Sequence, residues 1–182
     1  ATPQQVTQPT RKEGPKKPKP VHENWIFVHG TFAAKVNWHK KDSAERKTLS
    51  NVLKQKPKHF SHTIHSFVWS GPNNPPARLK AAQALTELLK KLNPPYHIIA
   101  HSHGGTVVLL AAQKLFEAKD PLTITELYCL GTPIHHDWYK NAHNNIKTIY
   151  NLFSYGDVVQ RVLTLFQRTF PETPSIHNIQ VK

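Results

Sequence analysis

Tyr96-His97-Ile98-Ile99-Ala100-His101-Ser102-His103-Gly104-Gly105 is the stretch on which the reading of this 182-residue chain turns. Tyr96 to Ala100 is a short apolar run of the kind that forms a buried strand. It leads straight into a serine. Small residues stand two before the serine (Ala100) and two after it (Gly104). From Gly104 to Leu115 the chain is apolar nearly all round, through Val107, Val108, Leu109, Leu110, Ala111 and Ala112, and predicts a buried helix. A sharp strand-to-helix turn needs small neighbours, because its strained backbone leaves no room for larger side chains. Such a turn lifts the Ser102 hydroxyl clear of the sheet edge and aims the positive end of a helix at whatever that hydroxyl meets.

Working outward, the same alternation repeats. Trp25-Ile26-Phe27-Val28 reads as a buried strand ending at His29-Gly30. Glu45 to Lys54 spaces Leu49, Val52 and Leu53 at helical intervals, and His62 to Trp69 is a second strand stopped by Gly71-Pro72. Pro75-Pro76 opens a helix whose Leu79, Ala82, Leu85, Leu88, Leu89 and Leu92 share one face, and Asn93-Pro94-Pro95 closes it. Ile124 to Leu130 and Ile146 to Phe153 are further strands, the second followed by a helix striped with Val158, Val159, Val162, Leu163 and Phe166. Ile176 to Val181 reads as a last short strand. Strands alternating with helices predict an α/β fold: a mostly parallel central sheet with helices on both faces. Functional loops then gather at the carboxyl ends of the strands.

Composition bounds the rest. The chain carries 24 Lys+Arg against 11 Asp+Glu, a net charge of +13. Arg11, Lys12, Lys16, Lys17 and Lys19 sit in a proline-rich stretch, so residues 1–20 are expected to be a disordered basic tail, with residues 21–182 forming one domain. A second basic cluster runs from Lys35 to Lys58. Such a field draws a protein towards an anionic membrane surface, or it is simply a solvated face. Trp38 is the one Phe, Tyr or Trp between Lys35 and Lys58, no series of aromatics interleaves with the cations as stacking platforms, and no nucleic-acid-binding motif is present, so no nucleic acid partner is expected. No apolar run reaches the roughly 18–20 residues that cross a bilayer. The sequence contains no methionine, even at position 1, which is consistent with processing, with secretion or with a fragment. The lone Cys129, in Leu127-Tyr128-Cys129-Leu130, reads as a buried small hydrophobe.

The Ala100–Gly104 turn resembles the nucleophile elbow of the α/β-hydrolase superfamily, G-x-S-x-G, with alanine in place of the first glycine. Some small bacterial lipases show the same replacement, and the chain as a whole resembles lipases and carboxylesterases. Ile26-Phe27-Val28-His29-Gly30-Thr31 is similar to the strand end that supplies half of the oxyanion hole in such lipases, and Leu130-Gly131-Thr132-Pro133 to a turn they carry after the next strand. The resemblance spans about residues 24–182. It implies a serine hydrolase acting on ester or lipid substrates without a cofactor, with Ser102 as nucleophile and the backbone N–H groups of Thr31 and His103 as oxyanion donors.

A serine nucleophile needs a base, and the base needs an orienting acid. The superfamily order is Ser, acid, His. Asp157, after the Ile146–Phe153 strand, is the expected acid; the alternatives are Asp137 as the acid and a structural helix N-cap role for Asp157, and capping can coexist with catalysis. His177 is the only histidine after Asp157. If Ile176–Val181 is a parallel strand, His177 begins it and lies about 15 Å from the elbow. It serves as base only if that segment is a loop; otherwise the base lies beyond residue 182. His101 and His103 flank the serine and read as packing or lining residues. His135-His136-Asp137 has no partner set at zinc spacing, so no metal is expected. Ser70, Asn73 and Arg78 follow a strand end and either line the site or form a turn. Phe32, Trp38 and Trp138 on the loops suggest a fatty acyl group, although aromatics also cap cores. The competing expectation is a catalytically inactive α/β-hydrolase-like domain that binds a lipid, peptide or protein.

Overall fold

Ile26, Ile98, Leu127, Ile149 and Ile176 stand side by side in register, one apolar row running across five parallel strands. That row organises the protein. The computed structural model describes residues 18–33, 37–134, 140–154 and 169–181. Within them, strands β1 (Val21–Val28), β2 (Phe60–Phe67), β3 (Tyr96–His101), β4 (Ile124–Leu130), β5 (Ile146–Phe153) and β6 (Ile176–Gln180) form one sheet in the order β2-β1-β3-β4-β5-β6. Every pairing is parallel. The helices are α1 (Ala44–Leu53), α2 (Pro75–Lys91) and α3 (His103–Glu117), and a single 3-10 turn at Ala142–Asn145 precedes β5.

The α/β expectation of a parallel sheet with helices on both faces is met. The sheet runs one way from β1 to β2 and the other way from β3 to β6. Right-handed crossovers therefore put α1 on one face and α2 and α3 on the other. The side chains agree. Ala81, Ala82, Leu85 and Leu89 of α2 and Val107, Val108 and Ala111 of α3 share a core with Ile26, Val28, Ile98 and Ala100. On the opposite face the Arg46 guanidinium of α1 donates to Ser66 Oγ at 2.7 Å and to the Ile64 carbonyl. The α3 helix is buried from His103 through Leu109, as its all-round apolar sequence requires.

Two expectations are corrected by the packing. Leu79, which its spacing predicts on the buried face of α2, is exposed, and Arg78 takes the buried position beside it. The β1 strand begins four residues earlier than its apolar run. Its polar start is held mainly by partners far away in sequence: His22 bonds Ser61 and Thr63, Asn24 bonds the Asn93 carbonyl and His65, and Glu23 accepts from Lys56 as well as from nearby Trp25. Satisfied polar groups let a segment without an apolar pattern join a sheet. Cys129 is fully buried, and burial pushes its thiol up to about 12, so it is inert. The tail through residue 17 and the helix expected at Val158–Phe166 lie outside the described residues. Among the described residues no helix is long and apolar enough to cross a membrane.

Candidate active site

The sharp turn expected after β3 is present at Ser102. Its backbone sits at φ 51°, ψ −131°, a left-handed conformation that is sterically costly for any residue with a Cβ. The surroundings over-determine it. The Ser102 N–H donates to the Leu130 carbonyl at the end of β4 (2.9 Å), and the Ser102 carbonyl accepts from Gly105 N–H inside α3 (2.9 Å). Ser102 is thus tied to the sheet by its amide and to the helix by its carbonyl. Strain of this kind, about 1–3 kcal/mol, collects at functional positions.

The small residues around the turn have a measurable reason. A Cβ on Gly104 would stand 2.5 Å from the Val28 carbonyl oxygen and 2.7 Å from that of His29. The first turn of α3 rests directly on the carboxyl end of β1, so only glycine fits. A Cβ on Gly30 would stand 2.8 Å from the Cβ of Ser102. The Gly30–Thr31 peptide is therefore brought to the flank of the serine, and His103 opens α3 on the other side. Among the described residues no backbone carbonyl accepts the Thr31 N–H.

His29 holds that arrangement from below. It is fully buried; its Nδ1 lies 2.8 Å from the Gly30 carbonyl, and its Nε2 accepts the Trp69 backbone N–H at 3.1 Å. An acceptor at Nε2 places the ring proton on Nδ1, which therefore donates to Gly30. The Trp69 indole N–H returns to the His29 carbonyl at 2.7 Å, and the two rings stack. Sequence reading assigned His29 no separate role; its position beside Gly30, with Trp69 at the neighbouring strand end, was the available signal.

The two histidines flanking the serine part company. His103 is buried, with Nδ1 3.3 Å from Thr106 Oγ1. Burial first, and the Arg78 cation second, push its pKa down to about 4. The buried ring of His103 packs in the interior beside Thr106. Arg78 is buried as well and bonds Asn73 Oδ1 at 3.0 Å. His101 is exposed, with its ring edge-on to Trp38. It borders a recess of about 270 Å³ whose apolar walls include Leu130, Leu152, Phe153 and Val181.

His177 is not brought to the serine. It stands in β6 paired with Tyr150, which is level with Tyr128 and Ile99. Ser102 lies three residues further along the strand direction and three strands across, a separation of about 17 Å at ordinary strand spacings. The ring of His177 stacks on Tyr150 at 5.1 Å, and Tyr150 stacks on Tyr128 at 4.9 Å. The segment is a strand, the alternative under which His177 does not serve as base. Asp157, Asp137, Trp138, His135 and His136 lie outside the described residues. Among the described residues no three His, Cys, Asp or Glu side chains gather as a metal site.

No protein-family model and no curated protein sequence matches this chain. Among solved structures it is similar to a provisionally assigned cell surface hydrolase from Lactobacillus plantarum WCFS1, at 11% identity over 88% of this chain and 82% of that one, with a TM-score of 0.47. It is also similar to the thioesterase of the prodiginine biosynthetic pathway in Streptomyces coelicolor, at 16% identity over 69% of this chain and 48% of that one, with a TM-score of 0.37.

Proposed function

We propose that this chain is a serine hydrolase that cleaves carboxylic esters through an acyl-enzyme, with Ser102 as the nucleophile. The observation that carries the reading is the strained backbone of Ser102, held between β4 and α3 with Gly30 in contact with its Cβ. A structural serine has no need of a left-handed bend at a sheet edge, whereas a nucleophile that must clear that edge does.

In the proposed reaction the Ser102 hydroxyl loses its proton to a histidine and attacks the ester carbonyl carbon. The carbonyl oxygen becomes an oxyanion held by the N–H groups of Thr31 and His103, with the positive end of α3 behind them. The carbon–oxygen bond to the alcohol then breaks, and the alcohol leaves with the histidine proton. Water then gives a proton to the same histidine as it attacks the acyl carbon; the bond from that carbon to Ser102 Oγ breaks, the histidine returns the proton to Oγ, and the acid leaves. Asp157 is proposed as the carboxylate that orients the base, from its place after β5. The lipase and carboxylesterase resemblance supports an aliphatic ester as substrate. The test is labelling of the folded chain with a fluorophosphonate probe. A wild type that labels while Ser102→Ala does not supports the reading; a folded wild type that stays unlabelled sinks it.

One observation favours a second reading, a binding domain without turnover. His177, selected by sequence order as base, stands in a strand about 17 Å from the serine. That reading expects neither labelling nor ester turnover, so the same experiment separates the two.

A further inference from the structure

Phe32 stands one residue past the proposed oxyanion amide, in a place that chain propensity and burial both oppose. The Ala33 N–H donates to the Gly30 carbonyl at 3.3 Å and closes a four-residue turn. Phe32 is the third residue of that turn, at φ 56°, where turns of this hand ordinarily place glycine or asparagine. A second backbone bond, from Phe32 N–H to the Gly71 carbonyl at 2.9 Å, fixes it there. The bulky side chain gains nothing from packing in return, because it is 79% exposed. The other aromatic of this region behaves differently. Trp38 is half-buried, edge-on to Phe27 and to His101, and caps the core.

The surroundings say what such a ring can meet. Val28 pairs with Phe67, so Val68 stands level with His29 one strand over, and it too is 58% exposed. Two exposed apolar side chains, Phe32 and Val68, therefore stand just past the carboxyl ends of β1 and β2, and Phe32 is two residues beyond the glycine that approaches Ser102. We propose that Phe32 is the acyl-chain contact of this site and sets its preference for longer acyl groups; this rests on the hydrolase reading above. The acyl half stays bonded to Ser102 after the alcohol has left. A ring fixed next to the oxyanion amide therefore meets it in both halves of the reaction, which a contact for the alcohol does not.

The test compares monomeric p-nitrophenyl octanoate with p-nitrophenyl acetate for wild type, Phe32→Ala, Phe32→Gly and Phe32→Leu. The octanoate-to-acetate ratio of kcat/KM is expected to fall about tenfold in the Ala and Gly variants, the size of losing contact with a few methylenes, and to be largely restored in Phe32→Leu. A readout without turnover accompanies it. In the Ser102→Ala background, the dissociation constant of p-nitrophenyl octanoate, followed by tryptophan fluorescence, is expected to rise about tenfold when Phe32 becomes alanine. If wild type cleaves neither ester, the hydrolase reading fails while the binding comparison still decides the role of Phe32. An unchanged ratio, or an unchanged dissociation constant, overturns the proposal. So does loss of binding to phosphatidylglycerol vesicles in Phe32→Ala with monomer selectivity intact, since the ring would then face a lipid surface.

Discussion

Gly30 and Ser102 touch between adjacent strands: a Cβ on Gly30 would come within 2.8 Å of the Cβ of Ser102 and 3.0 Å of the His101 carbonyl oxygen. The second obstacle is backbone and cannot rotate aside. Gly30→Ala must therefore push β1 and the serine turn apart. Overpacking of this kind costs about 1–3 kcal/mol of stability. Activity should suffer more, because the Thr31 amide moves with Gly30, and misplacing one oxyanion donor costs about 10²–10³ in kcat. Urea midpoints and kcat on a short ester, measured together, check this. A variant that loses stability but keeps its turnover number contradicts the assignment of Thr31.

Ser102 itself should be a place where activity and stability oppose each other. At φ 51° any side chain is strained, and glycine is not. Ser102→Gly is expected to unfold at a higher temperature than Ser102→Ala, by the equivalent of about 1 kcal/mol, even though glycine loses more entropy on folding. Both variants should fail to label with a fluorophosphonate. Calorimetry of the pair decides it: equal or reversed melting temperatures mean the turn is not under strain.

His103 should make the protein acid-sensitive. Its folded pKa, pushed down to about 4 by burial and then by Arg78, lies below the ordinary histidine value near 6.5. Between those two values the unfolded chain binds a proton that the folded chain refuses. Stability therefore rises with pH through this window and falls as pH drops from about 6.5 towards 4. His39 and His65, both lowered chiefly by burial, add slope of the same sign. His103→Gln should flatten the curve of urea midpoint against pH across this range. A curve as steep as that of wild type would show that the ring is protonated without penalty.

Most of the fold was legible because it follows from apolar periodicity. The β4 and β5 strands begin and end where their apolar runs do. The polar start of β1 was not legible, since His22, Glu23 and Asn24 are satisfied by residues up to 69 positions away. The serine turn could be read from local spacing, because the glycine it needs is two residues from the serine. The packing that demands that glycine, the carbonyls of Val28 and His29, is long-range and was not visible. Likewise nothing in the sequence separates Phe32 from Trp38. One projects and one caps, and the difference lies in the single left-handed residue of a turn. The aromatic ladder of Tyr128, Tyr150 and His177 depends on register across three strands, so sequence order alone put His177 among the site residues.

That ladder yields the last prediction. His177 is a stacking partner of Tyr150 on the sheet face, three residues short of the serine's level. Removing it should cost about 0.5–1.5 kcal/mol of stability, as for other stacked pairs, and leave ester turnover within about twofold, because the ring reaches none of the reacting atoms. Asp157→Asn should behave oppositely. If its carboxylate orients the base, kcat falls by about 10⁴, the loss seen when a triad acid becomes an amide, with little change in folding. Assaying the two variants side by side with Asp137→Asn sorts the assignments by chemistry. A collapse of turnover in His177→Ala would mean that β6 is not the strand described, and full activity in Asp157→Asn would transfer the role of acid to Asp137.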